Sequence, residues 1–310
     1  MCALFGFLDI GHQVPTKVLR KLLQALANAS EIRGNDAAGI AYNKNGVMTI
    51  YKRPKPAHKM RFRLPDGTTA VMGHTRMTTQ GSEKNNYNNH PFRGHAGTDF
   101  ALAHNGVLYN DRELKRQKQL PDTMIETDSY VAVQLIEAQG ELSFDSIKQM
   151  AEEVCGSFTF TILDSNNAIW FVKGSSPLYL IYFPELRLYV YSSSREIMKE
   201  ALRNSPLLWR RHDVIDVEDG QILKITDDGK TSCERFDPFL LAPSYKWYSP
   251  NYETADDDDA LMDLIDVYAC FGVPAEEVIE LWEMGYSCDE IEDFLFCPGA
   301  YERAMMTGEM

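Results

Sequence analysis

Short stretches rich in apolar, aromatic and β-branched residues dominate the first 240 residues of the chain. Turn-forming sequences such as Lys44-Asn45-Gly46 and Asp227-Asp228-Gly229 separate these stretches. Stretches of this length, bounded by turn residues, are typical of β-strands. They are CALFGFL, GIAYN, GVMTIYK, TAVMGHTR, FALAHNGVL, SFTFTILD, AIWFVKG, LYLIYF, LRLYVYSS and GQILKIT.

Helical patterns interrupt the strand-like stretches in a few places. Apolar residues recur every three or four positions in residues 16–29, 128–139 and 143–154, and Ser143 is a plausible N-cap for the third helix. Many strands with two or three long helices predict sheets that are covered by helices. We therefore expect an α+β fold built in layers.

The composition changes near residue 240. Residues 241–255 combine prolines with clustered aromatic residues, which is typical of an extended linker. Four consecutive aspartates follow, and then three short helical patterns. We therefore divide the chain into a main domain at 2–240, a linker at 241–255 and an acidic three-helix appendage at 256–310. The helical patterns are ALMDLIDVYACFG, PAEEVIELWEMG and SCDEIEDFLFCP.

Charge and cysteine content restrict the partners and the compartment. The 310 residues carry a net charge of −14, which disfavours non-specific attraction to nucleic acid or to an anionic membrane. No apolar run approaches the roughly 18 residues of a membrane-spanning helix, and MCALFGF is too short for a signal peptide. The six cysteines form no CxxC pair and no zinc-like cluster. We predict a cytoplasmic protein with reduced thiols, no cofactor and no metal.

Chemically versatile residues are concentrated in a few stretches where strands are expected to end. Each has an ordinary interpretation when it is considered alone. Asn105-Gly106 is a frequent turn sequence, Asp128 is a plausible N-cap and Arg76 is a plausible surface charge. Three histidines are most simply structural residues at strand ends: His74, His90 and His104. The stretches are Cys2, RGNDAAG (33–39), GHTRMTTQG (73–81) with NNHPF (88–92), and AHNGVLYN (103–110) with TDS (127–129).

The same residues together describe a pocket for an α-amino acid. A guanidinium can grip a carboxylate with two hydrogen bonds, so Arg76 could hold the α-carboxylate. Asp128 could hold the α-amine. Asn105 and Gly106 could supply N–H donors for an oxyanion, and Cys2 supplies a nucleophilic thiol.

In the order Cys, RG.D..G, GHTR..T.G, N.HP, HNG and TDS, the chain resembles the glutaminase domain of class II glutamine amidotransferases. These enzymes belong to the N-terminal-nucleophile (Ntn) hydrolases. The resemblance covers roughly residues 2–235 and extends to later strand-like stretches. It implies a four-layer αββα sandwich. The later stretches are GSFTFTILD, KGSSPLYL, YSSSRE and VEDGQILKI.

The resemblance also implies roles for site residues. Cys2 becomes the nucleophile once Met1 is removed, because its α-amine is then free to act as the base. Asn105 and Gly106 form the oxyanion hole.

For the substrate, the resemblance implies that Arg76 holds the α-carboxylate of glutamine and Asp128 its α-amine. Thr79 lies in the segment that covers bound glutamine. Three positions depart from the family pattern, which more often has serine, an aromatic residue and histidine there: Ala37, Met77 and Gln80.

These observations predict a glutaminase that forms a γ-glutamyl thioester and releases glutamate and ammonia. The appendage is too small for a synthase domain and carries no phosphate-binding loop, so we expect the ammonia-consuming synthase on another chain. The acidic helices or the aromatic linker could dock on that partner, or they could simply cap the main domain. Two alternatives stay open: a γ-glutamyl amide hydrolase that acts on a small metabolite, and a non-catalytic scaffold that keeps the fold.

Overall fold

The computed structural model describes residues 2–44 and 46–238, and beyond them residues 261, 265, 275–284, 286 and 291. The chain divides into two compact units, Met1–Ser244 and Tyr245–Met310. The predicted linker at 241–255 and most of the predicted appendage lie outside the described residues.

Antiparallel strands form the framework of the first unit. They are β1 (Ala3–Asp9), β2 (Ala37–Lys44), β3 (Val47–Arg53), β4 (Ala70–Arg76), β5 (Phe92–Ala96), β6 (Thr98–Leu108), β7 (Gly156–Asp164), β8 (Ile169–Lys173), β9 (Tyr179–Phe183), β10 (Leu188–Ser192), β11 (Asp213–Ile215), β12 (Gln221–Ile225) and β13 (Thr231–Arg235). The helices are α1 (Thr16–Ala29), α2 (Asp111–Gln117), α3 (Tyr130–Gln139), α4 (Phe144–Glu153), α5 (Arg195–Leu202) and, in the second unit, α6 (Ala275–Glu283).

The strands form two sheets. The first sheet has seven strands in the order β11-β9-β10-β1-β4-β2-β3. The second has six strands in the order β13-β12-β8-β7-β6-β5. The strand at the very start of the chain, β1, therefore lies in the middle of the first sheet, between β10 and β4. A central strand pairs on both edges, so its position is closely determined.

Helices cover the outer face of each sheet. Leu22 and Leu26 of α1 and Met198 of α5 are buried in one cluster with Phe5 and Phe7 of β1. The alternate residues of β1 face the other way: Leu4 and Leu8 belong to a second cluster. Because side chains alternate across a strand, β1 thus contributes to the cores on both sides of its sheet.

The second sheet is covered in the same way. Val133 and Ile136 of α3 and Ile147 of α4 are buried against Phe158 and Phe160 of β7. Burying each such side chain contributes roughly 1.5–3 kcal/mol relative to leaving it exposed.

The cluster between the two sheets combines Leu4 of β1 and Met72 of β4 with Ala103 of β6 and Phe171 of β8. The predicted four-layer αββα sandwich is confirmed.

Most predicted elements are present with small shifts at their ends. The helix predicted at 16–29 is α1, and that predicted at 143–154 is α4. Ser143 caps α4, and its hydroxyl accepts the backbone N–H of Ser146. The sequence patterns missed three short strands: β5, β11 and β13. Every residue of β13 is exposed, so it has no apolar alternation to detect.

The second unit contains α6, which coincides with the middle one of the three predicted helical patterns. Val278 and Leu281 of α6 form a buried cluster with Ile291. The apolar residues that pack against this cluster are Leu261, Ile265, Trp282 and Tyr286. No helix among the described residues of the chain is long and apolar enough to cross a membrane.

Candidate active site

Cys2 directly precedes the central strand β1. Ala3 pairs with Thr75 of β4, so the antiparallel register carries Cys2 towards Arg76, the last residue of β4. The start of the strand is tied down by a hydrogen bond of 2.8 Å from the Leu4 N–H to the Ser193 hydroxyl. Cys2 is only 9% exposed. Cys2 is therefore buried at the start of β1, next to the end of β4.

Arg33 connects Cys2 to the second sheet. Its Nε donates to the backbone carbonyl of Cys2 at 2.9 Å, and its Nη2 donates to Oδ1 of Asn105 at 3.5 Å. The RGNDAAG stretch stands out in the sequence, but no role is predicted for its arginine. The available signal was that Arg33 opens this stretch, shortly before β2.

Asn105 lies inside β6, opposite Thr159 of β7, and is fully buried. The alternative interpretation of Asn105-Gly106 as an ordinary turn is therefore excluded, because pairing with β7 continues through both residues to Leu108. The Oδ1 of Asn105 accepts from Arg33, and its buried Nδ2 has no hydrogen-bond partner in the described part of the chain. Leaving a buried donor unsatisfied costs about 1–3 kcal/mol, so this group is poised to bind an acceptor.

Gly106 adopts a backbone conformation that side chains strongly disfavour. Its φ is 144°, and a Cβ built there lies 1.9 Å from the carbonyl oxygen of Ser157. Only glycine therefore fits this position. Gly106 directly follows Asn105. Its unusual backbone conformation therefore lies next to the Asn105 side-chain amide, which lacks a partner among the described residues.

Arg76 is buried, which excludes the interpretation of a solvated surface charge. Its Nη1 donates to Oδ1 of Asn89 at 2.8 Å, and its Nη2 donates to the carbonyls of Gln80 at 2.5 Å and Gly81 at 3.0 Å. Among the described residues these bonds use three of the five guanidinium N–H groups. The Nε–H and one Nη1–H stay available.

Asp128 is also buried, and it does not cap a helix. The alternative interpretation of Asp128 as an N-cap is therefore excluded, because α3 begins at Tyr130 and the carboxylate turns towards β6. Its Oδ2 accepts the backbone N–H of Leu108 at 2.7 Å, and its Oδ1 accepts the hydroxyl of Ser129 at 3.2 Å. Asp128 is thereby bound to Leu108, which lies two residues beyond Gly106 at the same end of β6.

The charges of Arg76 and Asp128 both influence the ionisation of Cys2. Burial is the largest influence on the Cys2 thiol and raises its pKa. The positive charge of Arg76 lowers this pKa, and the negative charge of Asp128 raises it. Burial in turn lowers the pKa of Arg76, which the charges of Cys2 and Asp128 oppose. The thiol thus lies within the field of both charged groups.

We call residues 77–85 the covering segment. It contains Thr79, it has no helix or strand, and none of its residues is buried. Its first part is fixed by a hydrogen bond of 2.8 Å from the Thr78 N–H to Oδ2 of Asp36, and the Met77 carbonyl accepts the Cys2 thiol at 3.5 Å. Thr79 is exposed, and its hydroxyl makes no hydrogen bond within the described residues. Of the predicted site residues, Thr79 is the one that the structure does not tie to the others.

Three buried histidines lie behind the site. His74 contacts the His104 carbonyl through Nε2 at 2.9 Å and stacks on His90 at 4.2 Å. His104 contacts the Ser129 hydroxyl through Nδ1 at 2.8 Å. Burial lowers the pKa of all three, that of His74 to about 3. Their geometry agrees with a structural role. Within the described ranges, no cluster of histidine, cysteine and carboxylate residues has the geometry of a metal site.

Comparisons with known proteins identify relatives. Residues 74–199 match the family model described as a glutamine amidotransferase domain. The isomerizing glutamine–fructose-6-phosphate aminotransferase of Lactococcus lactis is 30% identical over 257 residues, which are 79% of this chain and 39% of that protein. The corresponding protein of Staphylococcus epidermidis is 35% identical over 188 residues, 57% of this chain and 30% of its own. The chain thus spans less than half the length of these relatives.

Two solved structures share the fold. The glutamine phosphoribosylpyrophosphate amidotransferase of B. subtilis, complexed with ADP and GMP, aligns with a TM-score of 0.60 and 23% identity. It covers 85% of this chain, which corresponds to 57% of that chain. A structure described as the allosteric regulatory enzyme of purine biosynthesis aligns over the same shares with a TM-score of 0.61 and 22% identity. At these identities the likeness concerns the fold.

Proposed function

Because this chain contains a glutamine amidotransferase domain of the class II, Ntn-hydrolase type, we propose that it hydrolyses the side-chain amide of glutamine. One observation carries the proposal. The buried Cys2 is linked through Arg33 to Asn105, whose amide Nδ2 is a buried donor without a partner among the described residues. A nucleophile beside a preorganised donor is the arrangement that acyl transfer requires.

The reaction begins after removal of Met1, which leaves the α-amine of Cys2 free. A free α-amine has a pKa of about 8 and a thiol about 8.5. Since burial raises the pKa of this thiol, little thiolate forms at neutral pH without a neighbouring base. The α-amine takes the thiol proton, directly or through one water, and the thiolate attacks the amide carbon.

The developing oxyanion accepts hydrogen bonds from Nδ2 of Asn105 and the backbone N–H of Gly106. When the tetrahedral intermediate collapses, the C–N bond breaks and the nitrogen leaves as ammonia with the proton that the α-amine held. Water then attacks the γ-glutamyl thioester, which releases glutamate and restores the thiol. Each such oxyanion donor contributes about 3–4 kcal/mol to transition-state stabilisation.

The two charged ends of the substrate determine its orientation. The available N–H groups of Arg76 hold the α-carboxylate, and the carboxylate of Asp128 holds the α-ammonium. Thr79 contacts the bound substrate from the covering segment. Both charged residues are buried, so their interactions with substrate are screened little by solvent.

Glutamine-dependent ammonia release from the purified protein tests the proposal. The wild-type protein should release ammonia and lack Met1 by intact mass, and Cys2→Ala should release none. If the wild type lacks Met1 but hydrolyses γ-glutamyl amides of larger amines far better than glutamine, the leaving group has been assigned wrongly. If it hydrolyses neither, the scaffold alternative replaces the enzymatic one.

We further propose that a synthase on a separate chain consumes the ammonia in the cytoplasm. The support is that the Lactococcus relative, which is matched over 39% of its length, is named as an aminotransferase that uses glutamine. The second unit is the proposed docking element. Deletion of residues 245–310 should abolish co-purification of the partner and preserve glutaminase activity. Unchanged co-purification would remove the docking role.

A further inference from the structure

Asn89 is a fully buried side chain that contacts both Arg76 and the covering segment. Its Oδ1 accepts from Nη1 of Arg76 at 2.8 Å, and its Nδ2 donates to the carbonyl of Glu83 at 2.8 Å. The Asn89 amide thus accepts from the Arg76 guanidinium through its oxygen and donates to the covering segment through its nitrogen.

Arg76 also contacts the covering segment directly, through its second Nη atom. Its Nη2 donates to the carbonyls of Gln80 and Gly81 in the covering segment. Guanidinium, segment and Asn89 therefore form a closed ring of hydrogen bonds. Because the guanidinium is planar, bonds at both Nη atoms fix its plane, and with it the direction of the remaining Nε–H and Nη1–H groups.

The backbone of Asn89 is itself held from β3. The ammonium of Lys52 donates to the carbonyl of Asn89 and, at 3.1 Å, to that of Pro91. Burial lowers the pKa of Lys52 to about 8, with the charge of Arg76 acting in the same direction. Lys52 is therefore mostly protonated at neutral pH and donates to both carbonyls. Lys52 is half-buried, and its ammonium thus holds the backbone of Asn89 and Pro91 through two carbonyls.

The neighbouring Asn88 makes a separate set of bonds. Its Nδ2 donates to the carbonyl of Ser82 at 3.1 Å and to Oε2 of Glu126 at 2.7 Å, with no bond to Arg76. Asn88 therefore ties the covering segment to residue 126, whereas Asn89 ties it to the guanidinium. The two adjacent asparagines are not equivalent.

We propose that Asn89 is a positioning residue that selects substrates bearing an α-carboxylate, because it orients the Arg76 guanidinium and couples it to the covering segment. The inference rests on the proposed function, in which Arg76 binds the α-carboxylate of glutamine. It assigns the selectivity of that site to a residue that does not itself touch the substrate.

The test compares two substrates that differ only in the carboxylate. Glutamine carries it, and 4-aminobutanamide, which is decarboxylated glutamine, retains the amine and the reacting amide. In Asn89→Ala, kcat/KM for glutamine should fall by at least about tenfold, since a hydrogen bond to a charged group contributes about 1.5–3 kcal/mol. The value for 4-aminobutanamide should change by less than about threefold.

A second variant keeps the shape of the side chain. Asn89→Asp places a carboxylate against Arg76, where it competes with the substrate for the positive charge. It should lower kcat/KM for glutamine at least as far as the alanine variant, again with little change for 4-aminobutanamide. A purely structural role predicts that both substrates are affected equally in both variants, and that result overturns the inference.

Asn43→Ala is the matched control. Asn43 likewise uses its amide to join two parts of the fold, donating to the Asp164 carbonyl at 2.7 Å and to Oδ1 of Asn167 at 2.9 Å. It lies at the far end of β2 from Ala37, the residue that pairs with Arg76. The control should lose thermal stability with an unchanged ratio of the two kcat/KM values. A changed ratio there contradicts the inference.

A wild-type protein that releases no ammonia from glutamine overturns the proposed function, and the role of Asn89 is then measured by binding. Calorimetry compares glutamate with 4-aminobutanoate, which lacks the α-carboxylate. Wild type should prefer glutamate, and Asn89→Ala should lose most of that preference. Equal preference in the two proteins overturns the inference by this route as well.

Discussion

The two sides of the candidate site are built by different means. On one side, Asn105 and Gly106 lie within β6, which is paired with β7 from Phe100 to Leu108. On the other side, the covering segment has no regular structure and no buried residue. It is held by hydrogen bonds with the side chains of Asp36, which accepts, and of Arg76 and two asparagines, which donate.

This difference matches the proposed division of labour. An oxyanion hole works only if its donors are preorganised, and a buried sheet supplies that rigidity. A covering segment has to admit and release substrate, and a few side-chain hydrogen bonds can be exchanged at small cost. The oxyanion donors are assigned to the strand side, whereas Arg76 and Thr79 are assigned to substrate binding on the covering side. Substitutions on the two sides should therefore have separable effects.

Gly106→Ala should have the largest effect. The new Cβ overlaps the Ser157 carbonyl at a positive φ, so we expect unfolding to become easier by about 4 kcal/mol or more, together with loss of activity. Gly140→Ala is the control, because Gly140 has a φ of 76° with nothing within 4 Å of its Cβ. It should lose only about 1–2 kcal/mol, by denaturant titration. Similar losses in both variants would show that the close approach to Ser157 is unimportant.

Asn105→Leu should lower kcat by about 10²- to 10³-fold with a small change in KM, because it removes a donor used in the transition state. Thr159→Val is the control. It removes a buried hydroxyl on β7 directly opposite, which bonds the Ser176 carbonyl. Its kcat should stay within about threefold of wild type. A rise in KM at constant kcat for Asn105→Leu would move Asn105 to the substrate-binding side.

Acid should destabilise the protein through the three buried histidines. Their folded pKa values are lowered, so below about pH 6.5 the unfolded chain binds protons that the folded chain excludes. Stability therefore falls as the pH drops, by up to about 1.4 kcal/mol per pH unit for each histidine. Denaturant titrations between pH 7 and 5 measure this slope.

His90→Phe should make the slope shallower, because both ring nitrogens of His90 are buried and lack partners among the described residues. His212→Phe, which makes the same replacement at an exposed position, is measured alongside it as the surface control. Equal slopes in wild type and His90→Phe would mean that His90 does not change its protonation on unfolding.

Thr79→Ala should have the smallest effect. If its hydroxyl contributes one neutral hydrogen bond to bound glutamine, KM rises by about fivefold, equivalent to about 1 kcal/mol, at unchanged kcat. Because Thr79 is exposed, the melting temperature should not change. An unaltered KM would remove Thr79 from the proposed substrate-binding residues.

Much of the fold could be predicted from the sequence because periodic burial leaves periodic patterns. The apolar stripe of 16–29 coincides with α1, and the Ser143 cap is present. Local preference and tertiary contact disagree at two places in the candidate site. Asn105-Gly106 favours a turn locally, but pairing with β7 carries the strand through it. The Asp128 carboxylate could have capped α3, but it accepts the backbone N–H of Leu108 instead.

The sequence alone determined which chemical groups this protein has and the order in which they occur: a thiol at position 2, an arginine ending a strand and an Asn-Gly pair in an apolar stretch. These properties are local, since they follow from residue type and periodicity. Only the tertiary structure decided that Arg33 links Cys2 to Asn105 and that Asn89, rather than Asn88, holds Arg76. Such choices depend on which groups from distant parts of the chain meet in a buried place, where every donor competes for a limited number of acceptors.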